Sequence, residues 1–210
     1  MRFTRIILST VMAMSLVAAA RAGPVQTFTD IDAFLEAAGE VREIDFETLP
    51  DGTPSYMFAE ITPEFNYTGQ GVEFFAHVPP LWIHGCEEGG FRLCACPQDS
   101  QGPLNWIIAE LVEPASAVGI AFRGGTTLTI GDADGSAQLE TWTWAGGGEL
   151  FLGVISDIPI GRAYVGGFAG VPPGSDVEMI ESFFFTPVPE PVSLVLLASG
   201  VLIVLGRRSP

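Results

Sequence analysis

Apolar residues recur along this chain at two spacings. In "TFTDIDAFLEAAGE", Ile31, Phe34, Leu35 and Ala38 fall at i, i+3, i+4 and i+7, which puts them on one face of a helix. Thr29 with Asp32 has the pattern of a capping box, and Gly39 supplies a stop. Between the two ends of the chain the spacing is otherwise two. "REIDFE", "GVEFFAH", "NWIIAEL", "AVGIAFR", "TTLTI", "AQLETWTW", "LFLGVIS", "RAYVGGFA" and "EMIESFFFT" read as short strands. "DADG" predicts a hairpin between "TTLTI" and the strand after it, and "AGGGE" joins that strand to "LFLGV". Many short strands separated by Gly- and Pro-rich turns predict a mainly β fold: a single antiparallel β-sandwich of jelly-roll type with one short N-terminal helix, over residues 23–186. Only "TPVPEPV" reads as an extended connector.

Both ends depart from this pattern, because their apolar runs have no period. "MRFTR" is a short basic stretch, "IILSTVMAMSLVAAA" is apolar, and Ala20 and Ala22 stand where a signal peptidase reads small residues, before Gly23. Residues 1–22 are therefore expected to form a signal helix that is cleaved, the alternative being an uncleaved anchor. At the other end, residues 192–205 carry no charge, and Gly206 precedes Arg207 and Arg208. A spanning helix needs about 20 apolar residues, so a helix over about 192–206 is short but workable with flanking help. Paired arginines behind it would stop transfer on the cytoplasmic side.

Charge separates the body from these ends. The chain has 9 basic and 25 acidic residues and a net charge of −16, with no lysine. Residues 23–187 hold 4 arginines against 24 acids, a balance of −20. Such a body repels phosphate backbones and attracts cations, so nucleic acid is not an expected partner.

Pro189, Glu190 and Pro191, then the apolar run, then Arg207 and Arg208, resemble the PEP-CTERM sorting tail of Gram-negative bacteria. The resemblance covers residues 187–210. It implies recognition at Pro-Glu-Pro by an exosortase, a membrane-embedded transpeptidase-like enzyme that removes the tail. A hydrophobic tail that holds a substrate only until it is cut follows the logic of a GPI signal. The implied route runs through the inner membrane to the cell surface or the extracellular matrix, with signal peptidase and an exosortase as processing partners and extracellular polysaccharide as a candidate ligand. The alternative is a permanently anchored single-span protein. "IDFE" with "PDGT" early, and "VGIAFRGG" and "LFLGV" later, are similar to the sandwich that proteins with this tail often carry.

Three constellations carry candidate chemistry. In "REIDFETLP", alternation puts Glu43, Asp45 and Glu47 on one strand face and Ile44 and Phe46 on the other. Glu-Ile-Asp-Phe-Glu resembles the catalytic signature of jelly-roll glycosidases similar to laminarinases, which implies Glu43 as nucleophile, Asp45 as helper and Glu47 as acid/base. A retaining mechanism wants the two carboxyl groups about 5–5.5 Å apart. The motif falls close to the mature N-terminus rather than mid-domain, so the simpler reading is a first sandwich strand with Ile44 and Phe46 inward. A third reading is a structural Ca²⁺ site in which Asp45, Glu47 and Glu181 join backbone carbonyls, as in galactose-binding-like sandwiches, because Ca²⁺ takes about 6–8 oxygens.

"HGCEEGGFRLCACP" gathers His84, Cys86, Cys94 and Cys96. The spacing is not that of a zinc knuckle, and export favours oxidation, so a disulfide from Cys86 to Cys94 or Cys96 is expected, with zinc as the alternative. Asp132 and Asp134 open like an EF-hand loop, but Gly135 comes two positions early and no glutamate closes the loop, so they read as a solvated hairpin tip. His77 and His84 are the only histidines, and no nucleophile elbow, zincin helix or phosphate loop occurs. Trp82, Trp106, Trp142 and Trp144 read either as core or as a sugar platform. Together these readings predict an exported binding or structural domain rather than an enzyme. The carbohydrate-active alternative would use Glu43 and Glu47.

Overall fold

A computed structural model of the chain describes residues 25–85, 90–95, 106–123, 126–134, 138–144, 149–166 and 178–188. The stretches expected to form a signal helix and a sorting tail, residues 1–22 and 189–210, lie outside them, as do Cys86 and Cys96. The described residues are mainly β: β1 Gln26–Phe28, β2 Arg42–Ile44, β3 Ala59–Ile61, β4 Val72–Ala76, β5 Leu81–Gly85, β6 Phe91–Ala95, β7 Trp106–Arg123, β8 Thr126–Asp132, β9 Gln138–Trp144, β10 Glu149–Gly166 and β11 Glu178–Pro187. One α-helix, α1 Ile31–Ala38, and a 3₁₀ turn, Tyr67–Gln70, complete them. Among the described residues no helix is long and apolar enough to cross a membrane.

The helix forms where the periodicity predicts it, but its cap lies one residue further on. Asp30, not Thr29, is the N-cap, and its side chain accepts from the Ala33 N–H at 2.8 Å. Gly39 ends the helix at φ 78°, donating its N–H to the Leu35 carbonyl.

All eleven strands join one antiparallel sheet, in the order β3-β5-β6-β11-β7-β10-β8-β9, with β1 on β10, β2 on β11 and β4 on β7. The two long strands organise it. "NWIIAEL" and "AVGIAFR" are the halves of β7, and "LFLGVIS" and "RAYVGGFA" fall largely in β10, where four separate strands were expected. Along one edge, β7 pairs first with β4 and then, beyond exposed residues 112–114, with β11. Its other edge pairs with β10, whose register shifts between Ile155 and Arg162. Beyond β10, β1 pairs over one half and β8 over the other. The sheet thus has two wings: β4, the first half of β7, the second half of β10, β8 and β9 in one; the second half of β7, the first half of β10, β1, β11, β2, β6, β5 and β3 in the other.

The larger core joins residues of both wings, including Ile107, Leu128 and Val165 of the first and Ile120, Val154 and Phe183 of the second. Phe74 of β4 meets Phe183 of β11 edge-on at 5.3 Å between ring centroids. Phe46, Tyr67 and Phe74 form a triangle of edge-on rings beside this contact. Asn66 ties them together, since its side chain bonds both the N–H and the carbonyl of Phe74. A second, smaller core lies on the outer face of the second wing, where Phe34 of α1 packs with Ala117, Phe151 and Phe184.

Candidate functional site

The "REIDFETLP" strand stops earlier than alternation predicts. β2 ends at Ile44, and Phe46 sits at φ 59°, in the left-handed region. That turn keeps the Phe46 ring fully buried, like Ile44, as alternation predicts, and leaves Glu43, Asp45 and Glu47 exposed, although of the three Glu43 alone lies within β2. Asp45 accepts the Glu47 N–H at 3.0 Å. Glu47 reaches the β5–β6 hairpin, where its Oε1 accepts the Phe91 N–H at 2.9 Å. Glu43 stays exposed on β2, beside an open hollow of about 400 Å³ lined by Arg42, Ile44, Gly69 and Gln70. Glu181 forms an ion pair with Arg92. The expected calcium trio of Asp45, Glu47 and Glu181 thus has three different sets of partners, and among the described residues no group of three or more His, Cys, Asp or Glu side chains could hold a metal ion. The Tyr67 hydroxyl donates to the Thr48 carbonyl at 2.8 Å. Burial, with the nearby charge of Asp45 adding to it, raises the Tyr67 phenol well above its ordinary value.

Within "HGCEEGGFRLCACP" the described residues form two paired strands. β5 pairs with β6 at Trp82↔Cys94, Ile83↔Leu93, His84↔Arg92 and Gly85↔Phe91. Cys94 is fully buried and disulfide-bonded, so it offers no thiolate to a zinc ion. The other two cysteines lie outside the described residues. His84 packs against Phe58, with ring centroids 5.6 Å apart. Asp132 ends β8 and Asp134 lies in the turn after it.

The outer face of the first wing gathers residues that the sequence could not bring together. Trp106, Ile108 and Glu110 of β7 stand opposite Gly166, Tyr164 and Arg162 of β10. Gly166, Tyr164 and Arg162 stand in turn opposite Thr127, Thr129 and Gly131 of β8. The alternate set, Ile107, Ala109, Ala163, Val165, Leu128 and Ile130, is buried in the core, so the first set faces outward. His77 follows β4 and extends the row, its N–H donating to the Trp106 carbonyl at 2.9 Å. Among the described residues, His77, Trp106, Ile108, Thr129, Gln138 and Tyr164 line a hollow of about 350 Å³ on this face.

Two details shape the hollow. A Cβ on Gly166 would lie 2.3, 2.4 and 2.6 Å from Cε3, Cδ2 and Cζ3 of Trp106, so the six-membered part of the indole lies over the glycine. Trp106 is half-buried, with its ring against the sheet at Gly166. Arg162 donates to the Tyr164 hydroxyl at 3.0 Å and is ion-paired with Glu110. The hydrogen bond to Tyr164, then the charge of Glu110, hold the guanidinium pKa above its ordinary value. The hollow therefore combines an aromatic shelf and a fixed phenol with hydroxyl and amide groups, which suits recognition of a ligand that is part apolar and part hydroxylated.

Among the described tryptophan side chains, Trp106 is the one that lines this hollow. Trp82 is half-buried on β5 beside Phe58. Trp142 and Trp144 lie on β9, paired with Leu128 and Thr126, and their side chains lie outside the described residues. The sequence reading passed over Ile108, Thr129, Tyr164 and Gly166, although the period of two already put 106 with 108 and 164 with 166. It also passed over Tyr56, Met57 and Phe58, three exposed apolar side chains on a turn in which Phe58 takes φ 64°. Compared with models of known families and with curated proteins, the chain matches none.

Proposed function

We propose that this is an exported cell-surface or extracellular-matrix protein whose β-domain binds or scaffolds rather than catalyses. The single observation that carries the binding reading is the outward hollow of Trp106, Ile108, Thr129 and Tyr164 on a sheet whose opposite face is core. Its walls are aromatic, amide and hydroxyl groups, suited to holding the face and hydroxyls of an extracellular polysaccharide. At the finer level of fold we read the folded sheet as a jelly-roll-like β-sandwich. The reading is supported by β7 and β10 running through both wings and by the Phe74–Phe183 contact across the core.

In this reading residues 1–22 direct export and are cut before Gly23. Pro189, Glu190, Pro191, the apolar run and Arg207 with Arg208 hold the chain in the inner membrane of a Gram-negative cell until an exosortase-type enzyme removes the tail. The support is the sequence order of these parts. Mass spectrometry of the protein from exosortase-bearing cells tests it. The expected mature chain begins at Gly23 and ends close to Pro189–Pro191, whereas a C-terminus at Pro210 would overturn tail removal.

A further inference from the structure

We infer that the Trp106 indole is a stacking shelf for one uncharged sugar ring, and that Gly166 is the positioning residue that lays it flat. This rests on the binding reading above and adds the chemical class of the ligand and the residue that sets the shelf's angle.

The face of a pyranose ring presents C–H bonds that carry slight positive charge, and the face of an indole is electron-rich, so the two pack flat against each other. Such packing needs an aromatic ring parallel to the surface that carries it. A tryptophan on a strand ordinarily stands away from the sheet, because side chains project roughly perpendicular to it. Here the neighbouring position across the β7–β10 ladder is glycine, and the indole occupies the space a Cβ would take, 2.3–2.6 Å from three of its ring atoms. Hydroxyl groups project sideways from a stacked sugar ring, and around the shelf stand Tyr164, Thr129 and Gln138. Thr129 and Gln138 already have partners within the protein, but an amide and a hydroxyl each have more than one hydrogen-bonding position. Arg162 fixes the Tyr164 hydroxyl by donating to it.

Charge narrows the class. Arg162 beside the hollow is neutralised by Glu110, and the chain as a whole carries −16. A polyanion, whether an acidic polysaccharide or a nucleic acid, meets repulsion at long range without a compensating cation on this face among the described residues. A neutral chain of sugars meets neither.

The test is affinity electrophoresis of the full chain in a sugar-free detergent, through gels containing hydroxyethylcellulose, laminarin, galactomannan or alginate. At least one of the three neutral polymers is expected to retard the protein, and alginate is not. Trp106→Ala is expected to weaken retention by about tenfold or more, which corresponds to about 1.4 kcal/mol. Trp106→Phe should keep most of it, and Trp82→Ala should leave it unchanged. Gly166→Ala should weaken it severalfold in the native background yet add nothing when Trp106 is already alanine, a non-additivity that a general loss of structure would not produce. Equal retention of Trp106→Ala and the native chain would overturn the shelf and leave the binding reading standing. Tighter retention by alginate than by the neutral polymers would overturn the ligand class. Equal losses from Gly166→Ala in both backgrounds would overturn its positioning role. Retention by none of the four polymers would overturn both the shelf and the binding reading.

Discussion

On the outer face of one wing Phe34, with Phe151, lies over Gly119 and Gly153, which pair with each other across the β7–β10 ladder. On the outer face of the other wing Trp106 lies over Gly166, farther along the same ladder. A Cβ at Gly153 would come within 2.5 Å of Phe34, and one at Gly166 within 2.3 Å of Trp106. In both places absent side chains let an aromatic ring settle onto the backbone. The outcomes differ because of what else arrives. Phe34 is delivered by α1, and Ile31, Leu35 and Ala38 come with it, so the ring ends fully buried among Phe28, Phe151 and Phe184. Trp106 is part of the sheet itself, and it remains only partly buried. One seat closes a core, and the other leaves an open surface, the one proposed to hold a sugar ring.

The two rings should therefore differ most in what they contribute to stability. Phe34→Ala is expected to destabilise the protein by about 3–5 kcal/mol, the cost of emptying a fully buried aromatic site. Trp106→Ala should cost below about 1.5 kcal/mol, because less apolar surface leaves water there. Urea unfolding of the two variants checks this, and similar losses would break the comparison.

The glycines sharpen it at smaller magnitude. Gly153→Ala pushes a methyl into a filled core and should cost about 1–3 kcal/mol. Gly166→Ala meets a ring that can swing into solvent, so its melting temperature should fall by less than that of Gly153→Ala. Equal shifts would show that Trp106 is held as tightly as Phe34.

Outside both faces, the loop after β2 gives a control of small size. The Thr53 hydroxyl and then the Thr53 N–H donate to Asp51 Oδ1, at 2.6 and 3.0 Å, and hold its carboxyl below the ordinary value of 3.8. A lowered folded value means that the charged form is favoured by the fold. The contribution of this turn is therefore present above pH 3.8 and lost as pH falls through the lower folded value. An NMR titration should place the Asp51 midpoint below 3.8, and Thr53→Val should move it back up. Neither ring should sense this change.

The amino-acid sequence determined the parts that depend on neighbours in the chain. The spacing of Ile31, Phe34, Leu35 and Ala38 is enough for α1, and alternation is enough to sort Ile107 from Ile108 and Val165 from Tyr164. Asp30 took the cap from Thr29 because several nearby side chains can reach a helix's first N–H groups, and composition does not rank them. Tertiary structure decided the rest. "NWIIAEL" and "AVGIAFR" read as two strands, yet β7 continues through Pro114 between them, and the Pro114 carbonyl accepts the Val188 N–H at 2.8 Å. The positive φ of Phe46 goes with a buried place against Tyr67 and Phe74, and the Glu47 carboxylate finds its partner in the Phe91 N–H, 44 positions away. The hollow takes its residues from β7, β8, β9 and β10 together with His77, drawn from positions as far apart as 77 and 164. A period of two assigns each of these residues to a face of its own strand. Only strand pairing, set by which apolar faces bury together over long separations, decides which faces become neighbours.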